Sequence, residues 1–452
     1  MGYGLRRLVL RGWRNCAEVD VVWSRGKNLV LGANGMGKTN VLEAIEMLAL
    51  GRSHRVGHER EVIGQGGEGA SIVGEWEPQQ SGSGVVSPLK VAMQFRVEPT
   101  ASGQPRMKTV VKVNDAVLKR RSQMVGLVRC VRFFYTDLAL LRGAPADRRS
   151  WLDGVVAQWE GEAGVAALVQ FQSVRKQKAA LLSKTAEQGL PVASVREQVA
   201  VWNEAFARAA AAVTVRRMLC VASLAPNAMA HYEMLASVDP TVSLAVTEQF
   251  QLTYVPYVSS ALSPDVFSRL REVQAAMLAA VAQHLGTLWE CLPGWEDTIT
   301  TVYGQVLEHI MPAECARGQC LVGPHRDDVG FVLLPAAYAR GLSFSGGQDA
   351  TVYASQGQQR SMVLALKLAE LQLLAVDGQS WPLLLMDDVM AELDPQRQAH
   401  LLGQIPAGVQ MFLTTTHLEN TLTPLMRDFL AQGEAQVVEV NRGAVMELQR
   451  IF

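Results

Sequence analysis

Residues Gly32-Ala33-Asn34-Gly35-Met36-Gly37-Lys38-Thr39 match the phosphate-binding pattern G-x-x-x-x-G-K-[ST] at every fixed position. The flanks suit it as well. Leu29-Val30-Leu31 reads as a short buried strand entering the loop, and Asn40 to Leu48 reads as the helix leaving it. The residue types follow from the chemistry. Gly32, Gly35 and Gly37 let the backbone curl so that its N–H groups point inward at phosphate oxygens. The helix start adds the positive end of a dipole. Lys38 reaches the β- and γ-phosphates, and the Thr39 hydroxyl ligates Mg²⁺. A glycine-rich turn matching by accident would need neither the strand before nor the helix after.

A second half of an ATP site lies far downstream. Leu383 to Asp388 is an apolar strand ending in two carboxylates. In phosphate-loop ATPases this position holds Mg²⁺ and orients water. Asp387 is expected to act on the metal directly or through its waters, and Asp388 to polarise the attacking water. Just upstream, Ser355-Gln356-Gly357-Gln358-Gln359-Arg360 precedes a strong helix from Ser361 to about Val376, with Leu364, Leu368 and Leu371 on one face. A hydroxyl at Ser355, the Gly357 and Gln358 backbone and the helix dipole make a second anion site. In the usual two-lobed domain it cannot reach the chain's own γ-phosphate, but a second chain's turn can, which predicts two ATP molecules between two protomers. Ser345-Gly346-Gly347-Gln348 is nearer to the transporter signature Ser-Gly-Gly-Gln. It is rejected because Asp349 to Tyr353 does not open a long helix.

The 452 residues allow two or three domains, and 49% apolar with 19% charged residues is a globular composition. A net charge of -1 means that any nucleic-acid contact comes from a local basic surface. Six cysteines in this length do not form a disulfide framework. Cys315 and Cys320, near His309 and His325, lack C-x-x-C spacing and are read as buried thiols. Nothing reads as a membrane span or signal peptide, and Arg6 spoils a myristoylation pattern at Gly2, so the expected location is cytoplasmic.

Strands are expected at Leu5–Leu10 and Ala17–Trp23, the latter with Ala17, Val19, Val21 and Trp23 on one face. Others are expected at Ala70–Trp76, Lys90–Val97 and Cys130–Tyr135, with a hairpin at Asn114-Asp115. From about Pro145 to Leu292 the texture turns helical, as in Leu168, Phe171 and Val174; Ala205–Cys220 and Pro264–Trp289 are long helix candidates. Strand-like sequence returns near Leu321. A helical block inserted between two halves of one α/β domain explains this order.

Several further blocks run in a fixed order: Gly32 to Ile45, Ser53-His54-Arg55, Leu140 to Asp153, Val322 to Asp328, Ser355 to Arg360, and Asp387 to Asp394. With them the chain resembles the RecF family of SMC/ABC-class ATPases over most of its length. The resemblance implies an ABC-type P-loop ATPase head of α/β class: lobe I, a mixed sheet around the P-loop helix, with an inserted, mainly helical lobe II. The implied boundaries are 1–144 for the N-terminal half of lobe I, 145–320 for lobe II, and 321–452 for the half carrying the signature and Asp387. It also implies an ATP-dependent homodimer, binding to duplex DNA near single-strand gaps, and work with RecO and RecR in loading RecA. The loops around Gln80–Pro105 and Pro335–Tyr353 are longer than is usual in the family.

Other residues are open to two readings. Asp394 is either a contact to a partner protomer or a helix cap before Pro395. His417 is either a γ-phosphate sensor or an exposed loop histidine. Asp327 and Asp328 form either a local salt-bridged turn or part of a site. Candidate phosphate contacts for DNA are Arg52 with Arg55, Lys119 with Arg120 and Arg121, Arg148 with Arg149, and Lys176 with Lys178. The leading function is a slow ATPase that clamps DNA in repair. The alternatives are the nucleotide-binding subunit of an ABC transporter and a structural SMC-like subunit. The first is disfavoured by the large insert, the second by the lack of heptad arms.

Overall fold

The computed structural model describes residues 2–55, 57–79, 87–99, 105–236, 249–257, 264–283, 288–334, 347–375, 380–393, 395–416 and 435–447. Two compact units divide the chain, Met1–Asp137 with Glu370–Phe452, and Leu138–Ala369.

The first unit holds two six-stranded sheets. One is antiparallel, in the order β2-β1-β4-β5-β6-β7, from β1 (Tyr3–Trp13), β2 (Cys16–Val22), β4 (Gly69–Pro78), β5 (Leu89–Pro99), β6 (Pro105–Val113) and β7 (Ala116–Val117). Its strands alternate, one face buried and one wet, as an antiparallel sheet with a single core face must. Val19 and Val21 point inward as expected, but Ala17 is exposed and Cys16 takes the inner place. The reason is a kink opposite. Gly12, with φ +61°, breaks the pleat, so the inward residue of β1 moves from Leu10 to Trp13 and its partner becomes Cys16. Asn114 and Asp115, with φ 47° and 66°, form the two-residue turn between β6 and β7 that favours these residue types.

The other sheet runs β15-β14-β3-β13-β12-β8, from β3 (Lys27–Leu31), β8 (Cys130–Phe134), β12 (Leu383–Asp387), β13 (Met411–Thr415), β14 (Ala435–Asn441) and β15 (Ala444–Glu447). All neighbours are parallel except β14 and β15. Every residue of β12 and β13 is buried, hence their unbroken apolar runs. Helix α1 (Lys38–Leu50) is buried on nearly every side and stops at Gly51, whose left-handed backbone returns its N–H to the Met47 carbonyl at 2.9 Å. One core joins these elements, with Trp13 tilted on Phe95 and Trp23 edge-on to Phe412.

The second unit contains α2 (Ala139–Arg142), α3 (Pro145–Glu160), α4 (Glu162–Glu187), α5 (Val192–Ala236), α6 (Pro264–Ala282) and α7 (Leu288–Arg317), followed by α8 (Ala350–Tyr353). The expected helix over Pro264–Trp289 is thus two helices. The helical texture also conceals a strand, β9 (Gln249–Val255), which pairs with β10 (Asp328–Leu334) and through it with β11 (Gln348–Asp349). Helix α5 contains a window long and apolar enough to cross a membrane, but 72% of that window is buried inside the structure. Helix α9 (Gln356–Leu373) starts in this unit and crosses its boundary.

Ion pairs join the helices to one another and to β10. Arg217 on α5 grips both oxygens of Asp153 at 2.7 and 2.9 Å, and Arg148 does the same to Asp328. Lys178 meets Glu314 at 2.7 Å with both side chains wholly buried, its ammonium 4.6 Å from the Phe206 ring centre. Asp327 is buried and held by the Tyr254 hydroxyl and the Tyr257 N–H. It therefore serves as an internal brace rather than a turn closed by local salt bridges. Cys315 and Cys320 are both buried, and burial pushes the Cys320 thiol up to about 11.

Candidate functional site

The loop between β3 and α1 sits at the carboxyl end of the central strand of the parallel sheet. Two of its glycines are required by close approach. A Cβ on Gly32 would lie 2.3 Å from the Val440 carbonyl of β14, and one on Gly37, with φ +114°, would lie 2.8 Å from Asn15 Oδ1. The neighbouring hairpins also brace the loop. The Gly443 N–H donates to the Met36 carbonyl at 2.8 Å, and Asn15 Nδ2 donates to the same oxygen at 3.2 Å.

Lys38 turns back over the loop, its ammonium donating to the carbonyls of Gly32 at 2.6 Å and Ala33 at 3.2 Å. Burial lowers its pKa, against the opposing pull of Asp388 and Asp387. The Thr39 hydroxyl lies 2.9 and 3.1 Å from the two oxygens of Asp387 at the end of β12. A hydroxyl and a carboxylate brought together beside a lysine and a glycine cradle fit a hard divalent cation bound to phosphate. The strand order explains their meeting, because only β13 separates β3 from β12.

From β13 comes a residue that sequence reasoning missed. Thr414 is fully buried, donates its hydroxyl hydrogen to Asp387 Oδ1 at 2.7 Å, and accepts the Asp388 N–H at 2.9 Å. Asp388 itself has φ 54° and ψ 21°, a left-handed conformation uncommon outside glycine. Thr414 thus fixes both the carboxylate at the strand end and the peptide that aims the next one. Its partners are remote in sequence, so no local pattern announces it.

Two carboxylates on α1 were also missed. Glu43 is fully buried and takes Arg14, Arg55 and Ser53, with distances of 2.8, 3.2 and 2.6 Å. Glu46 is equally buried, meeting His54 Nδ1 and Arg132 at 2.7 Å each. Burial alone would raise the Glu46 carboxyl, but His54 and Arg132 hold it below the usual range. The His54 ring stacks on Phe134 at 4.4 Å. The Ser53-His54-Arg55 turn therefore clamps α1 and is not a free basic surface. Next to it, a cavity of about 760 Å³ opens on the flank of the loop, lined by Arg14, Asn15, Asn40, Arg55 and Ile63.

The Ser355 turn belongs to the other unit. There Ser355 Oγ accepts the Gln358 N–H at 3.2 Å while Gln358 Oε1 accepts the Ser355 N–H at 2.7 Å, a reciprocal helix cap for α9. Among the described residues, the Ser355 hydroxyl hydrogen meets no acceptor. Gly357 forms the next turn of α9, and Arg142 Nε donates to Gln359 at 2.7 Å. In the rejected segment, Gly347-Gln348 leads only to β11 and the four-residue helix α8. Ser345, Gly346, Asp394 and His417 lie outside the described residues.

Several expected phosphate contacts are engaged internally: Arg55 with Glu43, Arg121 with Glu59, Arg148 with Asp328, Arg149 with the Asp327 carbonyl, and Lys178 with Glu314.

The family described as RecF/RecN/SMC N terminal domain matches residues 4–430. The DNA replication and repair protein RecF of Synechococcus sp. (strain JA-3-3Ab) is 35% identical over 441 residues, covering 98% of this chain and 97% of that protein. The protein of the same name from Thermosynechococcus vestitus is 34% identical over 442 residues, covering 98% and 96%. A solved structure of the recombination mediator protein RecF-ATPrS of the RecFOR pathway shares the fold, with a TM-score of 0.73 at 23% identity and 99% coverage of both chains.

Proposed function

The chain belongs to the RecF family of DNA replication and repair proteins, and on that premise we propose that it is an ATP-switched, DNA-binding ATPase. The observation that carries the reading is the meeting of Thr39 and Asp387 beside Lys38. Lys38 leaves the loop carbonyls to hold the β- and γ-phosphates. The backbone N–H groups from Gly32 through Thr39, with Ala33, Asn34, Gly35, Met36 and Gly37 between them, cradle the same oxygens. The flanking cavity takes the base and ribose. Thr39 and Asp387 would hold Mg²⁺, which would supply charge neutralisation on the phosphates. Asp388 orients the attacking water. Its side chain is one methylene shorter than glutamate, and a misplacement of about an ångström costs on the order of a hundredfold, so hydrolysis is slow.

The Ser355 turn, with Gly357 and Gln358, offers a hydroxyl hydrogen and helix N–H groups to a phosphate on a second copy of the chain. Two protomers then close on two ATP molecules, with residues 145–320 acting as the inserted lobe of each head. The dimer binds duplex DNA beside single-strand gaps in the cytoplasm and works with RecO and RecR to place RecA. A transporter subunit is disfavoured by the family assignment. The reading is tested by titrating labelled ATP with and without Mg²⁺ and then measuring gapped-duplex binding with and without ATP. Lys38→Met should lose nucleotide affinity and with it the ATP-dependent gain in DNA binding. Unchanged nucleotide affinity in that variant would sink the assignment.

A further inference from the structure

The outward face of the antiparallel sheet is divided electrostatically. On the β2-β1-β4 half, cations and anions neutralise one another across strands. Arg7 pairs with Asp20 at 2.6 Å and with Glu75 at 3.7 Å, and Arg11 pairs with Glu18 at 3.4 Å. On the β5–β6 half, the outward positions carry Lys90, Arg96, Arg106, Lys108 and Lys112 against one acid, Glu98. Glu98 meets Lys108 at 2.9 Å, and Lys90 lies 3.5 Å from Asp115 at the turn. Among the described residues, Arg96, Arg106 and Lys112 make no ion pair. The register sets Arg96 directly opposite Lys108 and Arg106 opposite Glu98. The inward residues of these strands, Val91, Met93, Phe95 and Val111, supply the core, so the outward cations are not needed to build the sheet.

We propose that the outward face of β5–β6 is a docking surface for the phosphate backbone of duplex nucleic acid. The proposal rests on the DNA-binding reading above and adds where the duplex sits. Outward residues recur about every 6.8 Å along a strand, and paired strands lie about 4.8 Å apart. Arg106 to Lys112 therefore spans roughly 20 Å, the length of about six phosphates along one strand of a duplex. A chain of near-zero net charge needs such local focusing to hold a polyanion. The paired charges of the other half exclude it as the partner surface, because they cancel at short range and leave Asp20 and Glu75 facing any approaching phosphate. These cations escape notice as a run because they alternate along two strands instead of clustering in sequence.

The test uses the full chain with a non-hydrolysable ATP analogue and a fluorescent duplex of about 30 base pairs, with affinity measured from about 50 to about 200 mM salt. The variant Arg96→Gln/Arg106→Gln/Lys112→Gln removes three contacts and should flatten the slope of log affinity against log salt by about 2.7. Its deficit relative to wild type should therefore shrink roughly 40-fold across that range. Labelled nucleotide binding should be unchanged, and Arg7→Gln/Arg11→Gln should keep the wild-type slope. An unchanged slope in the triple variant, or an equal loss in the control, overturns the proposal while leaving DNA binding intact. If the wild type binds no duplex, the functional reading falls and this one with it. If polyglutamate competes as well as duplex does, the face belongs to an acidic protein instead.

Discussion

Replacing Thr414 by valine exchanges a hydroxyl for a methyl group of nearly the same shape inside a fully buried site. Two hydrogen bonds go at once. The bond to the Asp387 carboxylate is charge-assisted and contributes about 1.5–3 kcal/mol, while the part-buried Asp388 N–H loses its acceptor at about 0.5–1.5 kcal/mol. Thr39 still reaches Asp387, so the two losses do not add in full, and a net cost of about 2–4 kcal/mol is expected. Serine keeps both bonds and gives up one methyl group, for about 1 kcal/mol. The expected order of stability is therefore threonine, serine, valine. Packing alone would put valine ahead of serine, since it fills the space and is more apolar. Chemical denaturation of the nucleotide-free protein, followed by tryptophan fluorescence, reads the order; Trp23 packs on Phe412 of the same strand and reports locally. A valine variant as stable as wild type, or more stable than serine, refutes the assignment of Thr414 as a polar brace.

Ser355→Arg should leave nucleotide affinity intact while abolishing ATP-driven dimerisation; sedimentation with and without ATP decides, and a dimer indifferent to both counts against the two-protomer reading. Asp388→Asn should nearly stop turnover, preserve ATP binding and lengthen the life of the ATP-bound dimer, as read by single-turnover hydrolysis; wild-type rates would remove Asp388 from the water-orienting role. Burial pushes the His325 ring down to about 4, against the opposing hydrogen bond to the Cys320 carbonyl. The unfolded chain takes up that proton near 6.5, so the stability associated with a neutral His325 is present above about pH 6.5 and is lost as pH falls toward 4. Asp327, raised to about 6 by burial, acts in the opposite sense and loses stability as pH rises through 6. His325→Phe keeps ring contact with Phe171 and Phe206 and removes only the first effect. Wild-type stability minus that of the variant should therefore drop by up to about 3 kcal/mol from pH 7 to pH 4, and a difference that stays flat rejects the buried neutral ring.

What was legible in the sequence is what local pattern encodes. The phosphate loop is flanked by its strand and helix, and Leu383 to Asp387 reads as a buried strand because both its faces are covered. Helix α9 was legible from its leucines and from the Ser355 cap. The rest depends on distant partners. Thr414 acquires its role only where β13 lies between β3 and β12. Strand β9 does alternate, with Phe250, Leu252 and Tyr254 inward, but it sits among long helices and its partner β10 lies beyond α7. Charge was the least legible property. Lys178 looks like half of a basic cluster, yet it is wholly buried against Glu314 more than a hundred residues on, while the unpaired cations of β5 and β6 alternate with core residues. The alternation of β2 alone puts Ala17 on the wrong face, because the kink that displaces it lies at Gly12, on the other strand.

The bracing of the phosphate loop by β14 and by Gly443 has a consequence for biosynthesis. Both neighbours of strand β3, β13 and β14, follow it by nearly 400 residues or more. At about 5–20 residues per second, the ribosome delivers them roughly 20–80 s later. Until then the central strand has no partner, and Gly32 and Met36 lack the carbonyl wall and the amide that shape the loop. A nascent chain therefore carries the loop's sequence long before it can hold a nucleotide. Competence arrives only once β14 and the Gly443 turn have been made, which keeps an unfinished head from holding nucleotide.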